Sequence, residues 1–475
     1  MPVARVESTS AAAWRRDDRH HTILAGMMWV LVVLMIVPEG FDYEALATTS
    51  APSSGSLISR ALWVGLLLLG GLLVCWRLGL AWLLARVLNP FLLCVVALAV
   101  ASVAWSIDPQ LSLRRLVRLG TIVLVCVAFV LVGWHARRYQ NVVRPILTLV
   151  LLGSIVFALA FPELAIHRDA AAELFGAWHG LTNHKNSFGA LACITLILWF
   201  HAGLSGEVRP PAAWLGGAVA AASLVLSRSS TAMATTVFVM LLVFGLMRGP
   251  RALRPYWPYL IGLLVAMFLL YTLATLRLIP GLGTLVASIA LLTDKDTTLT
   301  GRTEIWSIML DHIDYHPLLG TGYAAYWTAG PVAGTESFAF MWRMGAFYPG
   351  SAHNGYIDIA NDLGWVGLFG LLAYIVAHAR QSLQMLSIDR NQAVLYLALL
   401  FQQLITNLSE SHWFSVLSVN FVLMTLASTA LARAQLEQRL RQFFGEPHAI
   451  GNPPPQERHS PDAEPAYPSP RGGAV

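Results

Sequence analysis

The feature that most limits what this chain can become is a recurrence of apolar runs, each long enough to cross a lipid bilayer. Crossing about 30 Å of hydrocarbon takes roughly 20 apolar residues, or as few as about 17. Runs of that kind fall at 22–37, 61–76, 90–106, 116–134, 145–161, 188–204, 212–227, 231–247, 258–279, 356–378, 392–410 and 415–432. The expected fold class is therefore all-α, a polytopic integral membrane protein of about 12 transmembrane helices with one long outer loop. Composition agrees: 56% apolar residues, 12% charged residues and a mean hydropathy of +0.61 exclude an ordinary water-soluble fold. The stretch 78–88 (LGLAWLLARVL) reads as an interfacial segment outside the main series.

A net charge of +5 and a pI near 9.1 do not point to nucleic acid, because the basic residues are scattered through short interhelical loops. Scattered Lys and Arg set orientation instead. With the N-terminus inside, the inner loops collect Arg77, Arg86, Arg137, Arg138, Arg144, Arg209, Arg248, Arg251, Arg254, Arg380 and Arg390, while the first outer loop is acidic (Glu39, Asp42, Glu44). The chain then divides into a cytoplasmic arm (1–21), helices one to nine (22–279), a long outer loop (280–352), helices ten to twelve (353–432) and a cytoplasmic, largely disordered tail (433–475). The first apolar run follows Arg15, Arg16 and Arg19 without a cleavage-like site, and is expected to be a retained helix. Cys75, Cys94, Cys126 and Cys193 all lie in apolar runs and read as packing residues.

Four polar groups at outer helix ends could carry chemistry. The first is SAHNGYIDIANDLGWVGL, where Asn354, Asp358 and Asp362 recur every four residues ahead of an apolar stretch. Asn354 and Asp358 are equally well read as a helix cap and a first-turn carboxylate. His353 is a candidate general base or oxyanion partner. Gly364, Gly367 and Gly370 read as a close-packing face. The second is GAWHGLTNHKNSFGA, a dense patch of His179, Asn183, His184, Lys185 and Asn186 before a helix; a helix N-terminus beside a lysine suits phosphate, and a snorkelling interfacial lysine is the alternative. The third is a set of arginines on the outer side, against the topological bias: Arg114, Arg115, Arg118, Arg168, Arg228 and Arg302. Guanidinium pairs bidentately with phosphate, so an anionic ligand is expected. The fourth is FQQLITNLSESHW, with Gln403, Asn407 and Glu410 read on one face of helix eleven and His412 beyond; Glu410 is either a second acid or base or an interhelical hydrogen-bonding group. Arg302 to Ile313 reads as an amphipathic helix, with Ile305, Trp306, Met309 and Ile313 on its apolar face. No metal motif, Walker loop or dinucleotide fingerprint is read, so no cofactor is expected and the substrate must arrive activated.

Taken in order, these motifs resemble the O-antigen ligase and polymerase superfamily of bacterial membrane glycosyltransferases along the whole chain. The pattern is His353, Asn354, nine residues, Gly364 and Gly367, with Leu368 where ligases carry Thr or Val. GRTEIW around Arg302, HPLLGTGYAAYW and NHKNSFG look more like the exopolysaccharide polymerases of that superfamily. The resemblance implies a metal-independent transferase on the periplasmic face of the inner membrane. Its donor would be a glycan on undecaprenyl pyrophosphate and its acceptor another lipid-linked repeat, or lipid A core for a ligase; membrane lipid, a flippase and a chain-length regulator would be its partners. The expected roles are pyrophosphate binding by Arg302, Arg228 and Arg115 with help from Lys185, and acceptor activation by His353 with Asn354, Glu410 being an alternative base. His184, Asn186, Trp306, Tyr323 and Asp358 would meet the glycan. A transporter is the alternative of another class, but it calls for polar groups at mid-bilayer rather than at helix ends.

Overall fold

The computed structural model describes residues 3–37, 56–132, 138–168, 174–279, 302–328, 332–345 and 348–444. The expectations for the acidic first loop, for 280–301 and for the tail from Gly445 lie outside these residues. Among the described residues the architecture is all-helical, its only β feature being a single bridge between Ile166 and Trp178. In chain order the helices are α1 (Val3–Ile36), α2 (Leu57–Trp76), α3 (Leu78–Ala85), α4 (Pro90–Ala101), α5 (Pro109–Val132), α6 (Gln140–Ala160), α7 (Pro162–Ala165) and α8 (Lys185–Ser205). There follow α9 (Pro210–Leu226), α10 (Ser230–Arg248), α11 (Trp257–Thr275), α12 (Arg302–Tyr315), α13 (Glu336–Arg343), α14 (Gly355–Met385), α15 (Arg390–Thr406) and α16 (Val419–Phe444).

The chain is a polytopic membrane protein. Among the described residues eight helices are long and apolar enough to cross a membrane, or nine if α3 and α4, bent by 107°, form one broken span; His20–Ile36 and Pro210–Leu226 are shorter apolar stretches. Length and apolarity alone thus carry eight or nine of the twelve spans expected. The bend has a local cause: Asn89 caps α4 by accepting from the Phe91 N–H at 3.1 Å, and Pro90 fills the first helical position, where no N–H is needed. The Asn89 amide also donates to the Tyr374 carbonyl of α14 at 3.1 Å, fixing the bend to the core.

Burial sorts the helices. The apolar window of α16 is 78% buried and those of α8 and α14 are 67% buried, against 17% for α2 and 22% for the span containing α11. The central helices are the ones whose ends carry the polar motifs. On α2 the exposed Leu57, Ile58, Leu62, Leu68 and Leu72 form the kind of surface that only lipid solvates.

Two features correct the reading of the sequence. First, α14 is broken at Gly364, whose φ of 64° and ψ of −168° interrupt the helix. The freed backbone groups are taken up by the segment 317–322: Trp365 and Val366 N–H donate to the Pro317 and Leu318 carbonyls, and the Asn361 and Asp362 carbonyls accept from Thr321 and Gly322. A Cβ at Gly364 would lie 2.2 Å from the Leu318 carbonyl, so Gly364 is required by the break rather than by a small-residue helix face. Second, α15 stops at Thr406, so Glu410 lies in the turn beyond it and not on its face. The Asn407 carboxamide oxygen accepts from the His412 and Trp413 N–H groups, both at 2.8 Å, and folds the chain back.

The segment before α14 is not bare loop. It carries α12 and α13, and α12 buries Ile305, Met309 and Ile313 against the bundle, packing on α14.

Candidate functional site

Glu410 is the meeting point. Its Oε1 accepts from the Asn186 amide at 2.6 Å and from the Arg302 guanidinium at 3.2 Å, and its Oε2 lies 3.4 Å from His353 Nδ1. These partners come from three separate segments, at the starts of α8, α12 and α14. All four side chains are only partly buried; Glu410 is 18% exposed, Arg302 17% and His353 27%, so a ligand can reach the cluster.

Local capping explains how each segment presents its residue. Asn354 is the N-cap of α14, accepting from the Tyr356 and Ile357 N–H groups at 3.0 and 3.3 Å, and is 2% exposed. That leaves His353 just outside the helix, with φ at 49°, a conformation costly for a residue with a Cβ. Gly355 N–H donates to the Asn407 and Glu410 carbonyls, and a Cβ at Gly355 would lie 2.0 Å from Asn407 Oδ1; the close approach brings His353 to Glu410. His184 caps α8, its Nδ1 accepting from the Asn186 N–H at 3.2 Å. Asn186 Oδ1 in turn accepts from the Ser229 hydroxyl at 3.2 Å, and Ser229 is the N-cap residue of α10. The capped N-termini of α8 and α14 therefore lie beside one carboxylate, each carrying about half a positive charge, and the start of α10 is joined to it through Asn186.

Electrostatics follow from this crowding. Burial pushes the Glu410 carboxyl up, but the hydrogen bond and charge of His353, with Arg302, outweigh it and hold the group at about 2. Glu410 is thus an anion at neutral pH. Burial holds His184 down at about 4 despite the pull of Glu410, with His167, His353 and Lys185 adding to the shift. His184 is then a neutral cap. The rings of His167 and His184 are 5.3 Å apart, and those of His167 and His179 4.7 Å, while His167 Nε2 accepts from the Lys185 N–H at 3.3 Å.

The remaining expected residues divide. Arg228 follows α9 with φ at 50°, is exposed, and donates to the Phe175 carbonyl at 3.0 Å, one residue from Ser229. Asp358 accepts from Trp327 Nε1 at 3.0 Å, from the Ala352 N–H at 3.2 Å and from the Ser411 hydroxyl, while Trp306 Nε1 donates to the Ala352 carbonyl at 2.9 Å. Together they brace the strand of chain leading into His353. Arg115 stands apart, its guanidinium donating to the Ala324 and Trp327 carbonyls. Tyr323 is 1% exposed and donates to the Phe414 carbonyl at 2.6 Å, which places it in the core with no ring face open to a sugar. Arg168 pairs with Glu163 at 3.3 Å. Ser229 lies beside Arg228 and Ser411 beside Glu410 in motifs the sequence offers, but their contacts, with Asn186 and with Asp358, carry no spacing signal.

Residues 212–372 match the family described as O-Antigen ligase. That span includes Arg228, Arg302, His353 and Gly364, and leaves out Asn186 and Glu410. The exopolysaccharide production protein ExoQ of Rhizobium meliloti (strain 1021) is 29% identical over 308 residues, 62% of this chain. The resemblance to the O-antigen ligase and polymerase superfamily is borne out. The chain spans 65% of the length of ExoQ. Within the superfamily's pattern, the histidine and asparagine fall at the capped start of α14, Gly364 at its break and Gly367 one turn further on.

Proposed function

We propose that this protein is a glycosyltransferase of the bacterial inner membrane, both termini cytoplasmic, that polymerises undecaprenyl-pyrophosphate-linked repeats into exopolysaccharide at a periplasmic site around Glu410. One observation carries the reading: His353 and Arg302, from distant segments, converge on one partly buried carboxylate beside the N-termini of α8 and α14. Helix N-termini and guanidinium groups are suited to a pyrophosphate leaving group.

In this reading the carboxylate of Glu410 orients His353 through Nδ1 and leaves Nε2 to accept the proton of the acceptor hydroxyl. The hydroxyl oxygen bonds to the anomeric carbon of the donor, and the bond from that carbon to pyrophosphate breaks, its electron pair leaving on the lipid pyrophosphate. Arg302 spends one N–H on Glu410, and a guanidinium has others to give; Arg228 and the start of α8 with Lys185 complete the anion seat. Cationic side chains and helix ends supply the charge stabilisation, and the chemistry is metal-independent. Asn354 acts by capping. A positioned base is worth roughly 10²–10⁴-fold.

The match to the O-Antigen ligase family favours a second reading, transfer of finished glycan to lipid A core. Gene deletion with glycan analysis separates them. Loss of long exopolysaccharide with accumulation of short lipid-linked repeats is expected; intact polymer beside unmodified lipid A core would replace the polymerase with the ligase.

A further inference from the structure

A second polar group sits away from Glu410, between α12, α13 and the broken helix α14. His312 near the end of α12 directs Nδ1 at the Asn361 side-chain oxygen, 2.8 Å away, and Asn361 is 1% exposed on α14. With Nδ1 held by Asn361, Nε2 is the nitrogen turned toward α13. Nε2 faces Glu336 Oε2 at 2.5 Å. His316 lies four residues on, its ring 5.8 Å from that of His312, and one ligand atom from each of His312, His316 and Glu336 falls within 4.8 Å of the others.

We infer that His312, His316 and Glu336 bind a divalent cation of the zinc class, as a structural clamp joining α12 and α13. Two imidazoles and a carboxylate form a zinc donor set that leaves the fourth position to water, and an imidazole fixed through its other nitrogen by a buried side-chain group is the usual outer-shell arrangement. Ligand atoms about 2 Å from a tetrahedral ion stand roughly 3.3 Å apart, so the His312–Glu336 pair opens slightly and the exposed His316 turns inward. The site is distinct from the catalytic cluster: His312 is ten residues along α12 from Arg302, roughly 15 Å of helix rise. Through Asn361 it also reaches the stretch of α14 that receives the 317–322 segment. The inference does not depend on the transferase reading.

The test is zinc binding by the purified, untagged full-length protein in detergent, read by equilibrium dialysis and metal analysis. One tightly held zinc per chain is expected, at least tenfold weaker in His316→Ala and in Glu336→Gln, with Co²⁺ giving a tetrahedral absorption band in the parent only. Raised thermal stability on adding zinc should appear in the parent and vanish in His316→Ala, a change at an exposed side chain that leaves the fold intact by size-exclusion profile. Equal zinc retention by parent and the His316→Ala/Glu336→Gln double variant, or no retention by the parent, would reduce the group to a His312–Glu336 ion pair and overturn the inference.

Discussion

Each end of the bundle holds a glutamate ringed by arginine and amide groups, but the two are built differently. At one end Glu207 takes Arg138 at 3.4 Å, Arg144 at 3.5 Å and Gln140 at 3.2 Å, and Arg138 also takes Asp389 at 2.7 Å. Nearby, Arg390 donates to the Leu246 carbonyl, Arg248 to the Leu204 carbonyl, and His201 Nε2 bonds the Asn391 carbonyl. Two arginines answer two carboxylates, and the remaining cations close helix C-termini. At the other end Glu410 is met from three helix starts. Among the described residues all five non-glycine positions with positive φ, at Arg228, Arg277, Ala324, His353 and Phe414, follow α9 or α11 or adjoin α14 and α15 on that side. Such conformations cost roughly 1–3 kcal/mol each and persist where surrounding structure enforces them. The Glu207 end is a lock; the Glu410 end is strained and partly open, and in the function proposed above it seats an anion.

The largest effect should separate these ends. Arg302→Ala and His353→Ala are expected to lower polymer synthesis roughly 10²–10⁴-fold at normal membrane levels, from the loss of a positioned base or of leaving-group stabilisation. Glu207→Gln should leave synthesis per folded molecule unchanged while costing about 3 kcal/mol of stability, because Arg144 is left buried without its partner. Equal loss of synthesis in folded Glu207→Gln protein would erase the distinction. Next, Gly364→Ala forces a Cβ against Leu318 at a positive φ and should cost about 3 kcal/mol, read as a lower melting temperature in detergent. A parent-like melt would mean that the α14 break is dispensable.

Acid sensitivity sharpens the comparison further. His184 is held near 4 when folded against an ordinary value of 6.5, so the unfolded chain takes the proton first. Stability is full above about 6.5 and falls as pH drops toward 4, by about 3 kcal/mol over that window. His184→Asn keeps a capping side chain and should flatten that slope in pH-dependent melts; an unchanged slope would remove His184 as its source. Smallest is Asn354→Ala, about 1 kcal/mol from a lost cap, with Asn354→Asp restoring both stability and synthesis. Synthesis that stays low in a stable Asn354→Asp protein would give Asn354 a role beyond capping.

The spans were legible because lipid leaves a chain few options, and the apolar runs at 188–204 and 231–247 fall almost where α8 and α10 do. The sharing of one end by Asn186, Arg302, His353 and Glu410 followed from alternating helix direction. Their contacts did not, since no local spacing joins residue 186 to residue 410. The spacing of Gly364, Gly367 and Gly370 points to packing, because a single backbone reversal leaves no periodic trace. The sequence pattern puts Glu410 on a helix face, because the turn depends on the Asn407 side chain, which fits a helix pattern equally well. His312 and His316 stand at helical spacing, but their third ligand arrives twenty residues later, on another helix.

The central claim is tested most directly by purified, reconstituted protein given a synthetic lipid-pyrophosphate-linked repeat, with release of lipid pyrophosphate and chain growth followed together. The account predicts that the parent and Glu207→Gln proteins couple the two, while His353→Ala and Arg302→Ala do neither. Wild-type rates of release and growth in folded His353→Ala protein would contradict it.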